Sequence, residues 1–272
     1  MCFLQKNFAG CNFSWASYVK QKNNNSKVMK KCVFFALLCT VLLSSCKIEI
    51  NNGTRIEPSS NIVKNEYKMD VFDQVEVDLI ANVKFVQSKD SDYRVVMSCP
   101  DNYVELIGFG VREDGELEVH FLRDNINIDA RNVDITIYAP ALRKLENSGL
   151  ASVEIDRLKG DRLEVENSGV GSIYLSGLQL VDISAECSGV GGMELSGEVD
   201  RAKLECSGVG SIKAADLKAK SVKGEVSGVG GISCYASESI EADVSGVGSL
   251  KYGGKPHHNH LQRSGVGEIT EL

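Results

Sequence analysis

The residues best placed to do chemistry lie near the two ends of the 272-residue chain. Leu43-Ser44-Ser45-Cys46 resembles the bacterial lipobox, in which the cysteine is lipidated and becomes the first residue of the mature protein. It follows Lys30-Lys31 and an apolar run over 32–43, the layout of an export signal. That run is too short to span a bilayer, which takes about 20 helical residues. Acyl chains on Cys46 contribute about 0.8 kcal/mol per buried CH₂, so the body needs no membrane-binding surface of its own. The simpler alternative, a plain secretory signal with an incidental cysteine, leaves the position of Cys46 unexplained. Near the other end, His257-His258-Asn259-His260 are weak candidates for a transition-metal site. They lack companion Cys or carboxylate ligands nearby, which favours a solvated loop, and no metal or other cofactor is expected.

Between these ends the chemistry thins out. Glu164, Glu166, Glu186 and Glu205 fall at spacings that can line one outer face. Polysaccharide lyases and hydrolases use clustered acidic and basic groups in this way. A solvated face that blocks edge aggregation is the simpler reading. The aromatics available to stack on sugars are Tyr174, Tyr235 and Tyr252. There is no Ser/His/Asp arrangement, phosphate loop or nucleotide fingerprint, and no catalytic residue is assigned.

Charge narrows the partners. The formal net charge is −7, but residues 1–45 carry six lysines and no acid, which leaves −13 on the remainder. An acidic body argues against nucleic acid, whose phosphates need clustered Lys and Arg. Of nine cysteines, five (Cys2, Cys11, Cys32, Cys39 and Cys46) lie at or before the processing site. Cys99, Cys187, Cys206 and Cys234 remain, too few for a disulfide scaffold in a body of this size.

The organisation follows. Residues 1–45 form the signal region, with Met29 as the expected initiator and 1–28, including Trp15, set aside from fold reasoning. Residues 46–66 are the lipidated cysteine and a polar tether. Residues 67–145 are β-rich, and 146–272 carry a repeat. Its mark is Ser-Gly at 148, 168, 188, 207, 227, 245 and 264, six copies reading Ser-Gly-Val-Gly and the first Ser148-Gly149-Leu150-Ala151.

Before each mark, apolar or small residues alternate with polar ones: Leu163, Val165, Asn167; Ile183, Ala185, Cys187; Ala202, Leu204, Cys206. After it comes a second short run of the same kind: Ile173, Leu175; Met193, Leu195. A period of two with one apolar face is a half-buried strand. The glycines read as a sharp turn, with positive φ as one way to make it. A unit of about 20 residues with two short strands predicts one coil of a single-stranded parallel β-helix, like residues stacking about 4.8 Å apart. Asn147 would stack on Asn167, with Cys187 and Cys206 beyond, either bridged or packed as reduced thiols. A propeller blade needs about 40 residues, a leucine-rich repeat needs a Leu-x-x-Leu-x-Leu run, and a calcium nonapeptide array needs an aspartate that is absent here. The 67–145 stretch fits either an N-terminal cap or a degenerate continuation of the coil.

Phe72-Asp73-x-Val75-x-Val77, Val83-x-Phe85-Val86-Gln87, Gly115-x-Leu117-x-Val119 and Ile135-Thr136-Ile137-Tyr138-Ala139-Pro140-x-Leu142-x-x-Leu145, followed by the Ser-Gly-Val-Gly ladder, resemble the "putative auto-transporter adhesin, head GIN domain" family over roughly 68–270. These are mostly lipoproteins and secreted proteins of the Bacteroidetes. The resemblance implies a β-helix-like fold and a cell-envelope location, and it carries over no functional residue. The expectation is a non-enzymatic envelope lipoprotein, held through Cys46 at the outer membrane on its periplasmic or surface face, whose solenoid binds glycan or protein. The alternatives are a β-helix carbohydrate-active enzyme and a structural component of a periplasmic assembly.

Overall fold

A strand that alternates apolar and polar residues must bury one face, and a twenty-residue unit can do so only by stacking on copies of itself. The computed structural model, which describes residues 54–272 apart from 90, 124, 125, 130 and 131, shows that solution. Cys46, Met29 and the rest of the signal region lie outside the described residues. The fold is an all-β parallel solenoid. Its long runs are β14 (Ser172–Cys187), β15 (Gly192–Cys206), β16 (Ser211–Val226) and β17 (Gly231–Val244), each parallel to the next.

Each coil is three-sided, which corrects the expectation of two short strands. In β14 the first side is 172–175, the second 178–180 and the third 182–187, with Ile173, Leu175, Leu178, Leu180, Ile183, Ala185 and Cys187 turned inward. Like residues stack into columns. Val83, Val153, Ile173, Met193, Ile212, Ile232, Leu250 and Ile269 succeed one another along the first side. Full burial of such a side chain stabilises by about 1.5–3 kcal/mol.

The region before the first mark supplies both coil and cap, and its chain order differs from its stacking order. Strands β3 (Gln74–Asp78) and β4 (Asn82–Gln87) lie between two other coils. On one side are β10 (Lys144–Asn147) and β11 (Ser152–Ile155), on the other β7 (Glu116–Phe121) and β9 (Asp134–Ala139). The outermost edges are covered antiparallel. β6 (Ile107–Val111) pairs with β7, β5 (Arg94–Pro100) with β9, and β2 (Ile62–Lys68) with β5. This pairing closes edges that would otherwise template another chain. The far end is formed by β18 (Ser249–Gly253), β19 (His258–Arg263) and β20 (Glu268–Glu271), stacked on β17 and β18.

The marked turns also depart from expectation. None of their glycines has positive φ. They are glycine because successive turns stack backbone on backbone. A Cβ on Gly189 would lie 2.0 Å from Gly169 O, and one on Gly191 1.9 Å from Gly171 O. The first copy accommodates Ala151 because no marked turn lies beneath it; its neighbour there is the loop at Ala81. Left-handed glycines occur instead at the corner between the first and second sides, where Gly177 has φ 60° and Gly197 φ 135°.

Candidate functional site

The third side and the marked corner put outward side chains into straight rows, one rung per coil. The row two residues before each marked serine is almost wholly acidic. Glu118, Glu76, Glu146, Glu166, Glu186, Glu205, Glu225 and Asp243 stand in register, and Gln262 ends the series. Cations meet only part of it. Arg112 reaches Glu76 and Glu118 while pairing with buried Glu116, Lys144 lies 2.8 Å from Glu146, and Lys203 lies 2.7 Å from Glu205. Among the described residues no Lys or Arg pairs directly with Glu166, Glu186, Glu225 or Asp243. Partial burial, with Glu146 and Glu186 on either side, holds the Glu166 carboxyl above its usual range. Burial and then Glu146 raise Glu76 likewise.

Inside that row runs the predicted polar ladder. Asn147 Nδ2 donates to Asn167 Oδ1 at 3.0 Å, and Asn167 Nδ2 donates to Gly171 O at 2.9 Å. Cys187 and Cys206 follow in register as free thiols, their S–H groups reaching Gly191 O and Gly210 O. The side chain before each of these turns thus donates to the carbonyl four residues on. The hydrogen bond to Cys206, then burial, push the Cys187 thiol up, and burial pushes Cys234 up to about 12. The hydrogen bond with Cys187 lowers the Cys206 thiol, and all of these thiols are buried in the core.

Two further rows on the third side bound a groove. One is Arg162, Asp182, Arg201, Ser221, Ser239 and His258; the other is Glu164, Ser184, Lys203, Lys223, Glu241 and His260. The groove holds about 820 Å³, with His257 at its end. The three histidines are thus groove residues. Among the described residues no group of three or more His, Cys, Asp or Glu converges as a metal would need. His260 Nε2 instead lies 2.6 Å from the Gln262 amide nitrogen.

The groove does place carboxylates beside Arg and Lys, the arrangement an enzyme would need, but those carboxylates are committed to ion pairs. Arg201 grips Asp182 through two bonds of 2.5 and 2.8 Å, which holds the Asp182 carboxyl below its usual range, and Glu241 lies 3.5 Å from Lys223. A general acid needs a raised pKa, opposite to what Asp182 has. The Glu164, Glu166, Glu186 and Glu205 set divides between rows: Glu164 flanks the groove and the other three belong to the acidic row. Tyr174, Tyr235 and Tyr252 do not come together as an aromatic platform. Tyr174 is exposed on the first side, Tyr235 lies on the second under Lys218 at 4.0 Å, and Tyr252 is buried.

The sequence reading missed two features. Its first miss was the length of the acidic row, although the position two before the marked serine is acidic in six of seven copies. Its second was the outer edge of the marked corner. Leu150, Val170, Val190, Val209, Val229, Val247 and Val266 form one exposed apolar row there, each 55–86% accessible.

Stacked coils with straight outward rows define an all-β solenoid protein. The comparisons give its family. The profile of the family described as "Putative auto-transporter adhesin, head GIN domain" matches residues 71–256, and the chain belongs to that family. A crystal structure described as a putative adhesin from Bacteroides fragilis is 33% identical, with TM-score 0.76 over 80% of this chain and 100% of that one. A protein from Parabacteroides distasonis, described as a putative lipid binding protein, shares the fold at 23% identity, with TM-score 0.66 and coverage of 80% and 100%. A putative adhesin from Parabacteroides merdae shares it at 17% identity, with TM-score 0.63 and coverage of 80% and 99%. No curated protein matches significantly. The family description indicates a cell-envelope or surface protein.

Proposed function

We propose that this protein is a non-enzymatic adhesive lipoprotein of the cell envelope, anchored at the outer membrane through acyl chains on Cys46, whose third side binds an extended glycan. The observation that carries the reading is the groove itself. It crosses six coils at about 4.8 Å per rung, and its walls are hydroxyl, imidazole, guanidinium, ammonium and ion-paired carboxylate groups. Polar groups held on rigid strands suit recognition of a hydroxyl-rich polymer with little ordering cost. The adhesin description of the family and of the 33%-identical neighbour supports the same reading.

The test is a glycan array probed with residues 47–272. Saturable binding to a defined set of glycans is expected; binding to none would sink the carbohydrate version and leave a protein ligand. A metabolic label for acyl chains, with Cys46→Ser as control, tests the anchor. Label that persists in Cys46→Ser would refute it.

A further inference from the structure

The marked corner is a second surface, built independently of the groove. Its valine row spans seven levels, about 29 Å at the usual coil rise. A continuous apolar strip of this length is more than soluble proteins ordinarily leave to water. A β-branched residue suits the extended backbone here, but threonine would serve that purpose equally and valine occupies six of the seven rungs. On one flank lies a shelf of small residues, Ser152, Ser172, Gly192, Ser211, Gly231 and Ser249, with a hollow of about 120 Å³ over Gly192. On the other flank, past the marked serines, runs the acidic row, in which no Lys or Arg among the described residues pairs with Glu166, Glu186, Glu225 or Asp243.

The geometry selects the occupant. A segment lying along this row crosses the strands of the coil at right angles, so it cannot pair with their backbone. It must satisfy its own N–H and C=O groups, as a helix does. A helical turn of 5.4 Å is close to the 4.8 Å rung, and about 19 residues at 1.5 Å each cover the row. We propose that the marked corner docks a basic amphipathic helix of a partner protein. Its apolar stripe lies on the valine row, and its lysines and arginines reach the carboxylate row.

Charge disfavours the other occupants. Two copies apposed antiparallel at this corner would face acidic row to acidic row, and an anionic lipid surface would be repelled. The acidic body, at −13, draws a cationic partner in. The proposal does not require the groove to bind glycan.

The test uses the purified chain and a fluorescent 19-residue Leu/Lys peptide with leucines at helical spacing. Its controls are the same composition scrambled to destroy the stripe and a Leu/Glu version. The striped basic peptide is expected to bind saturably and the controls at least tenfold more weakly. Val190→Thr/Val209→Thr/Val229→Thr keeps shape and β-branching; it should weaken binding at least tenfold while leaving the unfolding temperature unchanged. Glu186→Gln/Glu205→Gln/Glu225→Gln should weaken binding and flatten its salt dependence. Equal binding of the scrambled peptide, no saturable binding, or wild-type affinity in the threonine variant would overturn the proposal. So would self-association in sedimentation that the threonine variant abolishes, which assigns the valine row to a second copy, or flotation with phosphatidylcholine vesicles that the same variant abolishes, which assigns it to lipid.

Discussion

Two corners of the coil differ in how they use glycine. At the marked corner every turn repeats the same hydrogen bonds. Ser188 and Gly189 N–H donate to Asn167 O, Val190 N–H to Gly169 O, and the next turn does likewise one level up. Glycine is required there by contact between coils, at ordinary φ. At the corner between the first and second sides, Gly177 and Gly197 take positive φ and the register slips, while the β16 coil turns there through Ala214, Ala215 and Asp216 without glycine. Irregularities fall between Leu175 and Leu178, between Glu194 and Ser196, and between Ala214 and Lys218. The lesson is that stacking enforces identity at one corner, while the other absorbs changes in length. The marks accordingly recur at 18 to 20 residues without breaking the columns.

This difference can be broken by substitution. The largest effect is expected at Gly191→Ala, whose Cβ would meet Gly171 O at 1.9 Å; forced overpacking of backbone there should cost about 3 kcal/mol. Its neighbour Gly192 has its nearest contact at 3.4 Å, so Gly192→Ala should change stability by no more than about 0.5 kcal/mol. Urea unfolding of the two variants measures the gap, and equal costs would refute contact as the reason for the marked glycines.

Next in size is the buried amide ladder. Asn167→Val should cost about 2 kcal/mol by taking one acceptor from the Asn147 amide, which keeps Ala151 O, and the side-chain donor from the Gly171 carbonyl. Asn147→Val/Asn167→Val should cost less than the sum of the single changes, since Val226 and Val244 already occupy later rungs of the same column. A double-mutant cycle decides whether the ladder acts as a unit.

The smallest effect is electrostatic. Because the Glu166 carboxyl is raised in the folded protein, its ionisation opposes folding. The stability associated with its protonated form is present below the usual carboxylate pKa and lost as pH rises through the raised value. Glu166→Gln should therefore stabilise at pH 7 by about 0.5 kcal/mol, the scale of a like-charge cross-strand pair. The gain should vanish as pH falls below about 4, where wild-type glutamates are protonated too. Melting curves across that pH range would show it, and a gain independent of pH would contradict the ladder's repulsion.

Much of the fold was legible because stacking writes itself into sequence. The seven Ser-Gly marks and the inward alternation before them gave the coil, and Asn147, Asn167, Cys187 and Cys206 align as that coil requires. The third side and the second corner were hidden. Their strands are continuous with those flanking them, and only isolated glycines such as Gly177 announce the bend. The order of the first coils was hidden as well, because β3 pairs with strands 42 and 70 residues away and no local pattern records such a crossing. The groove could not be read from composition, since Arg162, Lys203 and His258 meet only through the stacking of distant segments. His257, His258 and His260 stood out in the sequence as a possible metal cluster; in the fold they close one end of a groove.

Glycan binding is proposed for the outward rows of the third side, and the glycines of the marked turn serve the stacking of the coils. The most direct test is a glycan array run in parallel with wild type and with Arg201→Ala/Lys203→Ala. These side chains are exposed and half-exposed, in surface pairs worth little to stability. The prediction is that the wild-type binding pattern disappears in the double variant while its unfolding curve is unchanged. A pattern that survives in the double variant would contradict the claim that the groove holds the ligand.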